Sequence, residues 1–469
     1  MHDGIWADAV AQAAAIRSGE VTASELLREY LDRIERFDPL LRAYVTVDTD
    51  RAIADARDAD AAVRSGADGL PPFLGVTISM KDVIDVVGLP TTESSKALAD
   101  HIAAADAPLV QRLRDAGFIV LGKTNVPEFC SSMTTSELNG ICRNPWDPER
   151  TPAGSSGGAA AALAAALCAV AHGTDGAGSV RVPAAFCGLV GTKPTRGFTS
   201  FGPERGSPYY VTSVDGILSR TVRDAAALLD VFAGVYDRDA PWPGRPTATC
   251  GDAWSEEPGA LRIAVSTTPP MGETEPACVQ ATTVVADVLA SLGHRVESGT
   301  PDWNAILVAA LGPMNVPGPA GDVGLDQLDL VEPRNRPLVE RGAAYTVVEH
   351  ARWIEQCRAA SLEFLRFWDD VDVLLTPTCG ILPPSVDWAP WDQTPEEHMM
   401  TFMGFPNFAQ PFNLSGQPAL SLPLAWSDDG LPIGMQFAGR RFEEATLLQL
   451  AGQLERALPW ADRRPALVA

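Results

Sequence analysis

Two serines and one lysine are the residues of this chain best suited to covalent chemistry. Ser155 lies in Thr151-Pro152-Ala153-Gly154-Ser155-Ser156-Gly157-Gly158, and Ser179 ends Gly173-Thr174-Asp175-Gly176-Ala177-Gly178-Ser179. A serine hydroxyl becomes a nucleophile once a neighbouring base takes its proton. The same segments also read as a helix N-cap on a flexible turn and as a tight turn. Lys81 precedes Asp82, and the two read equally as a surface ion pair. The chain has only four lysines, Lys81, Lys96, Lys123 and Lys193, among 36 basic residues. A lysine in an arginine-rich chain points to work that arginine cannot do, such as giving up its proton.

Other chemistries fail on residue identity. His2, His101, His172, His294, His350 and His398 form no HExxH or other close pair, so zinc has no evident site. There is no P-loop and no GxSxG elbow. Gly176-Ala177-Gly178-Ser179-Val180-Arg181 begins like a dinucleotide fingerprint but has Arg181 where a glycine belongs. The SxxK pattern is tested by four residues, Ile78, Glu93, Val120 and Val190, and none is serine.

The elements that must position these residues alternate between helix and strand. Thr22 and Glu25 fit a capping box, Leu26, Leu27, Tyr30, Leu31 and Ile34 follow at helical spacing, and Pro39 is expected beyond the helix end. A polar helix is predicted over 51–64. Residues 73–80 read as a strand, with Val76, Ile78 and Met80 on one face and Thr77, Ser79 and Lys81 on the other. A helix at 108–116 and a strand at 118–122 continue the rhythm, and the alanine-rich run 159–171 reads as a buried helix. Further strands are expected at 261–266, 371–376, 418–424 and 432–438, and helices at 277–292, 345–368 and 443–454. This predicts an α/β fold, a mixed sheet flanked by helices. Stretches rich in Pro and Gly at 236–260, 312–338 and 379–394 read as long loop excursions from a single domain over 1–469.

Composition narrows the partners. A chain of 469 residues that is 46% apolar and 20% charged suits a large buried core. A net charge of −24 disfavours nucleic acid and anionic membranes. The start, Met1-His2-Asp3-Gly4-Ile5-Trp6-Ala7-Asp8, lacks the basic and apolar regions of a secretory signal. The longest apolar run, 159–171, is too short for a bilayer, which needs roughly 20 residues. Eight scattered cysteines without a CxxC pair read as reduced thiols. A soluble, cytoplasmic protein is expected.

Taken together, the segments resemble the amidase signature family. The likeness rests on Gly154-Ser155-Ser156-Gly157-Gly158, on Asp175-Gly176-Ala177-Gly178-Ser179-Val180-Arg181-Val182-Pro183-Ala184-Ala185, and on Gly191-Thr192-Lys193-Pro194-Thr195. Gly75-Val76-Thr77-Ile78-Ser79-Met80-Lys81-Asp82, Gly122-Lys123-Thr124-Asn125 and Gly430-Leu431-Pro432-Ile433-Gly434-Met435-Gln436 extend it over nearly the whole chain. The resemblance implies a central twisted sheet covered on both faces by helices and a triad without histidine. In it Ser179 is the nucleophile, Ser155 the bridging serine after a cis peptide bond, and Lys81 the base. It also implies an oxyanion hole from the N–H groups of Gly176, Ala177, Gly178 and Ser179, with Asp175 and Arg181 in support. No metal or organic cofactor is implied. Two departures stand out: Ala153 replaces a frequent glycine, and Gly176-Ala177 replaces a commoner Thr-Gly, placing a methyl beside the oxyanion hole.

The combination of Val170-Ala171-His172-Gly173-Thr174-Asp175 with Pro411-Phe412-Asn413-Leu414-Ser415-Gly416-Gln417-Pro418 and Ala457-Leu458-Pro459-Trp460 is most similar to the branch holding nylon-oligomer hydrolases, aryl acylamidases and urethane-cleaving amidases. His172 reads as a packed core histidine. Cys130, Met133, Phe402 and Phe405, with Met403 and Phe408, read either as the wall of an apolar substrate pocket or as plain core. The expected substrates are small amides or anilides with apolar acyl or aryl groups, and carbamates; a homodimer is compatible with this reading. Two rivals remain: a glutaminase subunit of the amidotransferase A type inside a tRNA-dependent complex, and a non-catalytic binding protein on the same fold.

Overall fold

The computed structural model describes residues 3–199, 212–234, 250–310, 321 and 323–469. The strands are β1 (Tyr44–Val47), β2 (Thr77–Lys81), β3 (Ile119–Thr124), β4 (Thr135–Ser136), β5 (Gly140–Ile141), β6 (Val170–Asp175), β7 (Val190–Lys193), β8 (Val214–Ser219), β9 (Arg262–Val265), β10 (Arg295–Ser298), β11 (Val373–Pro377), β12 (Ala419–Trp426) and β13 (Pro432–Ala438). Eleven of them form one sheet in the order β1-β3-β2-β6-β8-β7-β12-β13-β11-β9-β10, and β4 and β5 form a small hairpin. The sheet is mixed: β2 runs parallel to β3 and β6, whereas β8 is antiparallel to both β6 and β7. Every residue of β2, β3, β8, β11 and β13 is buried, so helices cover both faces there. The alternation read for residues 73–80 therefore separates two buried faces, one apolar and one carrying Lys81.

Local chemistry accounts for the elements and for the departures from expectation. The capping box is present: Glu25 N–H donates to Thr22 Oγ1 at 3.1 Å and Thr22 N–H to Glu25 Oε2 at 2.9 Å. Its helix, Ala23–Leu41, runs through Pro39 instead of ending before it. Proline removes one N–H from the last turns, and the carbonyl it strands belongs to solvent-exposed Glu35. The helix closes at Arg42, in the left-handed conformation.

The alanine-rich run is a helix only over Gly157–Ala164; a turn follows with Ala166 at φ 50°, and the rest enters β6. An unbroken apolar run has no period to show where helix yields to strand. All eight residues of that helix are buried. A Cβ on Gly158 would meet Asn125 N at 2.4 Å and Ala43 O at 2.5 Å, so only glycine lets it pack this close to the sheet edge.

The stretch 379–394 is a loop, tied back by bridges from Cys379 to Asn407 and from Ser385 to Arg150. The stretch 312–338 is more ordered than expected where it is described, with short helices Leu325–Leu330 and Pro333–Asn335 and the start of a helix Arg336–Ala344. Residues 312–320 and most of the loop expected at 236–260 lie outside the described residues. Among the described residues no helix is long and apolar enough to cross a membrane.

Candidate active site

Lys81 ends β2, where the ladder between β2 and β6 has already stopped: the two pair only at Ile78↔Val170 and Ser79↔Ala171. The gap admits the lysine side chain, which has no exposed surface. Its Nζ lies 2.7 Å from Ser155 Oγ, 2.8 Å from Thr174 Oγ1 and 3.3 Å from Thr174 O. Asp82 does not pair with it. Strand alternation turns that carboxylate to the opposite face, where it meets Lys123 Nζ at 3.0 Å. Burial drives the Lys81 amine below its ordinary value, opposed by nearby Cys130, Asp175 and Glu93. Burial makes the neutral amine easier to reach, and a neutral amine can accept a proton.

Ser155 follows a cis peptide bond after Gly154 and is 1% exposed. A Cβ on Gly154 would stand 2.0 Å from Ser132 O and 2.8 Å from Met133 Cα, both backbone atoms. Gly154→Ala is therefore expected to cost about 1–3 kcal/mol and to lower turnover by displacing Ser155, which thermal unfolding and kcat measure together. Ala153, where the family often has glycine, sits at φ 70°, the left-handed conformation that favours glycine.

The loop after β6 is shaped by Asp175. Its Oδ1 accepts from Gly178 N at 2.8 Å, and its Oδ2 accepts from Val180 N at 3.2 Å and Arg181 N at 3.3 Å. Burial alone would raise this carboxyl, but the charge and hydrogen bonds of Arg181, with help from Lys193 and Asn413, hold it well below the usual carboxylate range. Asp175 thus takes one of the four N–H groups expected to face substrate. Gly178 N–H is internal to the turn, because a buried carboxylate must be satisfied before any ligand arrives. The N–H groups of Gly176, Ala177 and Ser179 meet no acceptor among the described residues, and all three residues are partly exposed. Ser179 is fixed through its carbonyl, which accepts Ser156 N–H at 3.1 Å. Its hydroxyl makes no hydrogen bond among the described residues.

Of the expected pocket residues, Cys130 lies closest to this chemistry, its thiol against both Lys81 and Ser155, and burial pushes that thiol up. Met133, Phe402 and Phe405 join Ala153 and Val182 in one apolar cluster beside the Ser155 and Ser179 segments. Phe408 does not: it is core, packed with Trp303, Phe364 and Phe412. Met403 is 49% exposed and does not join that cluster. On Pro395–Met403 the rotation of one residue along the helix separates inward Phe402 from outward Met403, which a list of apolar residues cannot do. The segment carrying Cys130 and Met133 is held by buried Glu128, which accepts from Ser95 Oγ and Asn335 Nδ2 at 2.8 Å each. Arg334 also holds it, donating to Thr135 O at 2.7 Å.

Sequence reasoning missed Thr174, Asn407 and the partners of His172. Asn407 Nδ2 donates to Ala177 O at 2.8 Å and fixes the turn from the far side. Asn413 and Gln436 lay within quoted motifs, and both bond Arg181. No local signal marks Asn407, since its partner is 230 residues away.

Comparison with known proteins gives one consistent answer. A family model described as amidase matches residues 25–311 and 329–448. The 6-aminohexanoate-cyclic-dimer hydrolase of Paenarthrobacter ureafaciens is 38% identical over 493 residues, covering 99% of this chain and 97% of its own. A solved structure of 6-aminohexanoate cyclic dimer hydrolase complexed with substrate superposes with TM-score 0.90 at 35% identity, over 99% of this chain and all of that one. A bacterial aryl acylamidase of the amidase signature family superposes with TM-score 0.85 at 25% identity, over 99% of both chains.

Proposed function

This chain belongs to the amidase family and is a hydrolase of amide C–N bonds, and on that premise we propose that it cleaves apolar acyl or aryl amides, anilides and carbamates with Ser179 as nucleophile, Ser155 as relay and Lys81 as base. The observation that carries the reading is the buried Lys81 amine 2.7 Å from Ser155 Oγ. A neutral amine there takes the Ser155 proton as Ser155 takes that of Ser179. Ser179 Oγ attacks the carbonyl carbon, and the N–H groups of Gly176, Ala177 and Ser179 receive the oxyanion. Collapse breaks the C–N bond, the relayed proton leaves with the amine, and an acyl-enzyme remains on Ser179. Water, deprotonated by the same relay, then releases the acid.

The apolar cluster of Met133, Phe402 and Phe405 supports an apolar substrate. Trp388 packs against both phenylalanines and extends that cluster. The similarity to a nylon-dimer hydrolase and an aryl acylamidase supports the same class.

The test is a panel of p-nitroanilides, primary amides, aryl carbamates and glutamine, run with the purified chain and with Ser179→Ala. Hydrolysis of the anilides or carbamates, lost in the variant and unaffected by EDTA, is expected. Activity on glutamine alone would favour the glutaminase reading, and undiminished hydrolysis by Ser179→Ala would remove the triad. Because burial lowers Lys81, kcat/KM should rise with pH and reach half its plateau below the ordinary lysine value of 10.5.

A further inference from the structure

The proposed base is held from one side by a single strand. His172 and Thr174 lie two apart on β6, so both side chains emerge on one face. That face borders the gap left where β2 and β6 cease to pair. Lys81 N–H, at the edge of the gap, points at His172 Nδ1 across 3.4 Å. The Nε2 of that buried ring lies 3.0 Å from Oδ1 of Asp215, which stands opposite Thr174 in the β6–β8 ladder. An Nδ1 that accepts leaves the ring proton on Nε2, where it is donated to Asp215. The lysine backbone is thus anchored through a side chain where the sheet offers no carbonyl.

Thr174 acts at the other end of the same residue. A neutral amine has two N–H bonds and one lone pair. Nζ has three oxygen neighbours, and one of them, Thr174 O at 3.3 Å, can only accept. With Thr174 Oγ1 at 2.8 Å accepting the second N–H, the lone pair is left facing Ser155 Oγ at 2.7 Å.

We propose that Thr174 is a positioning residue that aims the Lys81 lone pair at Ser155, with the Asp215-locked His172 fixing the lysine backbone. This rests on the triad reading above. It explains how an amine with three oxygen neighbours and a thiol beside it is kept in the one orientation that accepts a proton. The charged and titratable groups facing Lys81 are Cys130, Asp175, Glu93 and His172, and of these the Cys130 thiol lies against both the amine and Ser155.

The experiment compares Thr174→Val, which keeps the shape and loses the hydroxyl, with Thr174→Ser, which keeps the hydroxyl. His172→Asn, His172→Leu and Lys81→Met complete the set. In Thr174→Val, kcat should fall about 100-fold with KM nearly unchanged, the cost of a misaligned reacting group. Its acid limb should move to lower pH, because the ammonium loses an acceptor and the neutral amine becomes easier to reach. Thr174→Ser should restore both rate and limb, and His172→Asn, whose Oδ1 can replace Nδ1, should retain more activity than His172→Leu. Should circular dichroism show Thr174→Val unfolded, Thr174→Ala gives the same readouts. A kcat within threefold of the parent, or a loss of rate with an unmoved limb, overturns the proposal. If Lys81→Met itself turns over substrate normally, the triad reading fails instead, which keeps the two failures distinguishable.

Discussion

Lys81→Met is expected to lower kcat/KM by roughly 10⁴-fold while leaving the fold at least as stable as the parent. Methionine matches the lysine stem in length and cannot take a proton, so the proposed relay through Ser155 has no terminus. Members of a nucleophile–base unit lose activity on this scale when removed singly, because the rest cannot work without them. Stability should move the other way. Lys81 is fully buried, and methionine escapes the cost of hiding an amine in a gap where the groups it bonds, the Ser155 and Thr174 hydroxyls, are neutral. Site residues are often kept against the preference of the core in this manner. Thermal unfolding with the kinetics decides the matter, and the residual activity should lose its rise with pH. A drop of less than tenfold would show that another group accepts the proton.

The second large effect is expected at Arg181→Met, at about 3–5 kcal/mol of stability, the usual cost of stranding one member of a buried ion pair. Arg181 uses all five of its N–H bonds: Nε and one Nη2–H on Asp175, the other Nη2–H on Asn413, and both Nη1–H on Ala409 O and Gln436. Its loss leaves Asp175 charged, buried and short of its main counter-charge. The pH dependence should invert with it. In the parent, Asp175 is held below its unfolded value, so its contribution is present above about pH 4 and is lost as acid protonates it. In the variant burial dominates, the carboxyl rises, and stability should increase as pH falls through that raised value. Urea denaturation at pH 3, pH 5 and pH 8 reads both signs, the parent losing stability between pH 5 and pH 3 and the variant gaining it between pH 8 and pH 5, and Asp175→Asn added to Arg181→Met should recover part of the loss. Turnover should fall as well, since Asp175 orders the N–H groups on either side of Ser179.

These effects fall on residues whose types and neighbours stand out in the sequence. Strands β2, β3 and β13 and the capped helix Ala23–Leu41 follow local patterns, because a capping box and a two-residue period depend only on near neighbours. Where the local signal is flat or misleading, expectation and structure part. The alanine run hides a helix-to-strand change, Pro39 sits inside a helix whose exposed side tolerates it, and Phe402 and Met403 face opposite ways on one helix turn.

What the sequence alone determines is the chemical inventory: two serines on glycine-rich turns, a scarce lysine ending a strand, and an aspartate and arginine six residues apart that brace one turn. Tertiary structure alone decides how the inventory is wired. It sends Asp82 to Lys123 and leaves Lys81 for Ser155 and Thr174, gives Gly178 N–H to Asp175, and brings Asn407 across to Ala177. The physical reason is that residue type and local period fix what a side chain can do. Its protonation and its partners depend on burial and on strands distant in sequence, set where β2 parts from β6 and opens a dry gap around one amine.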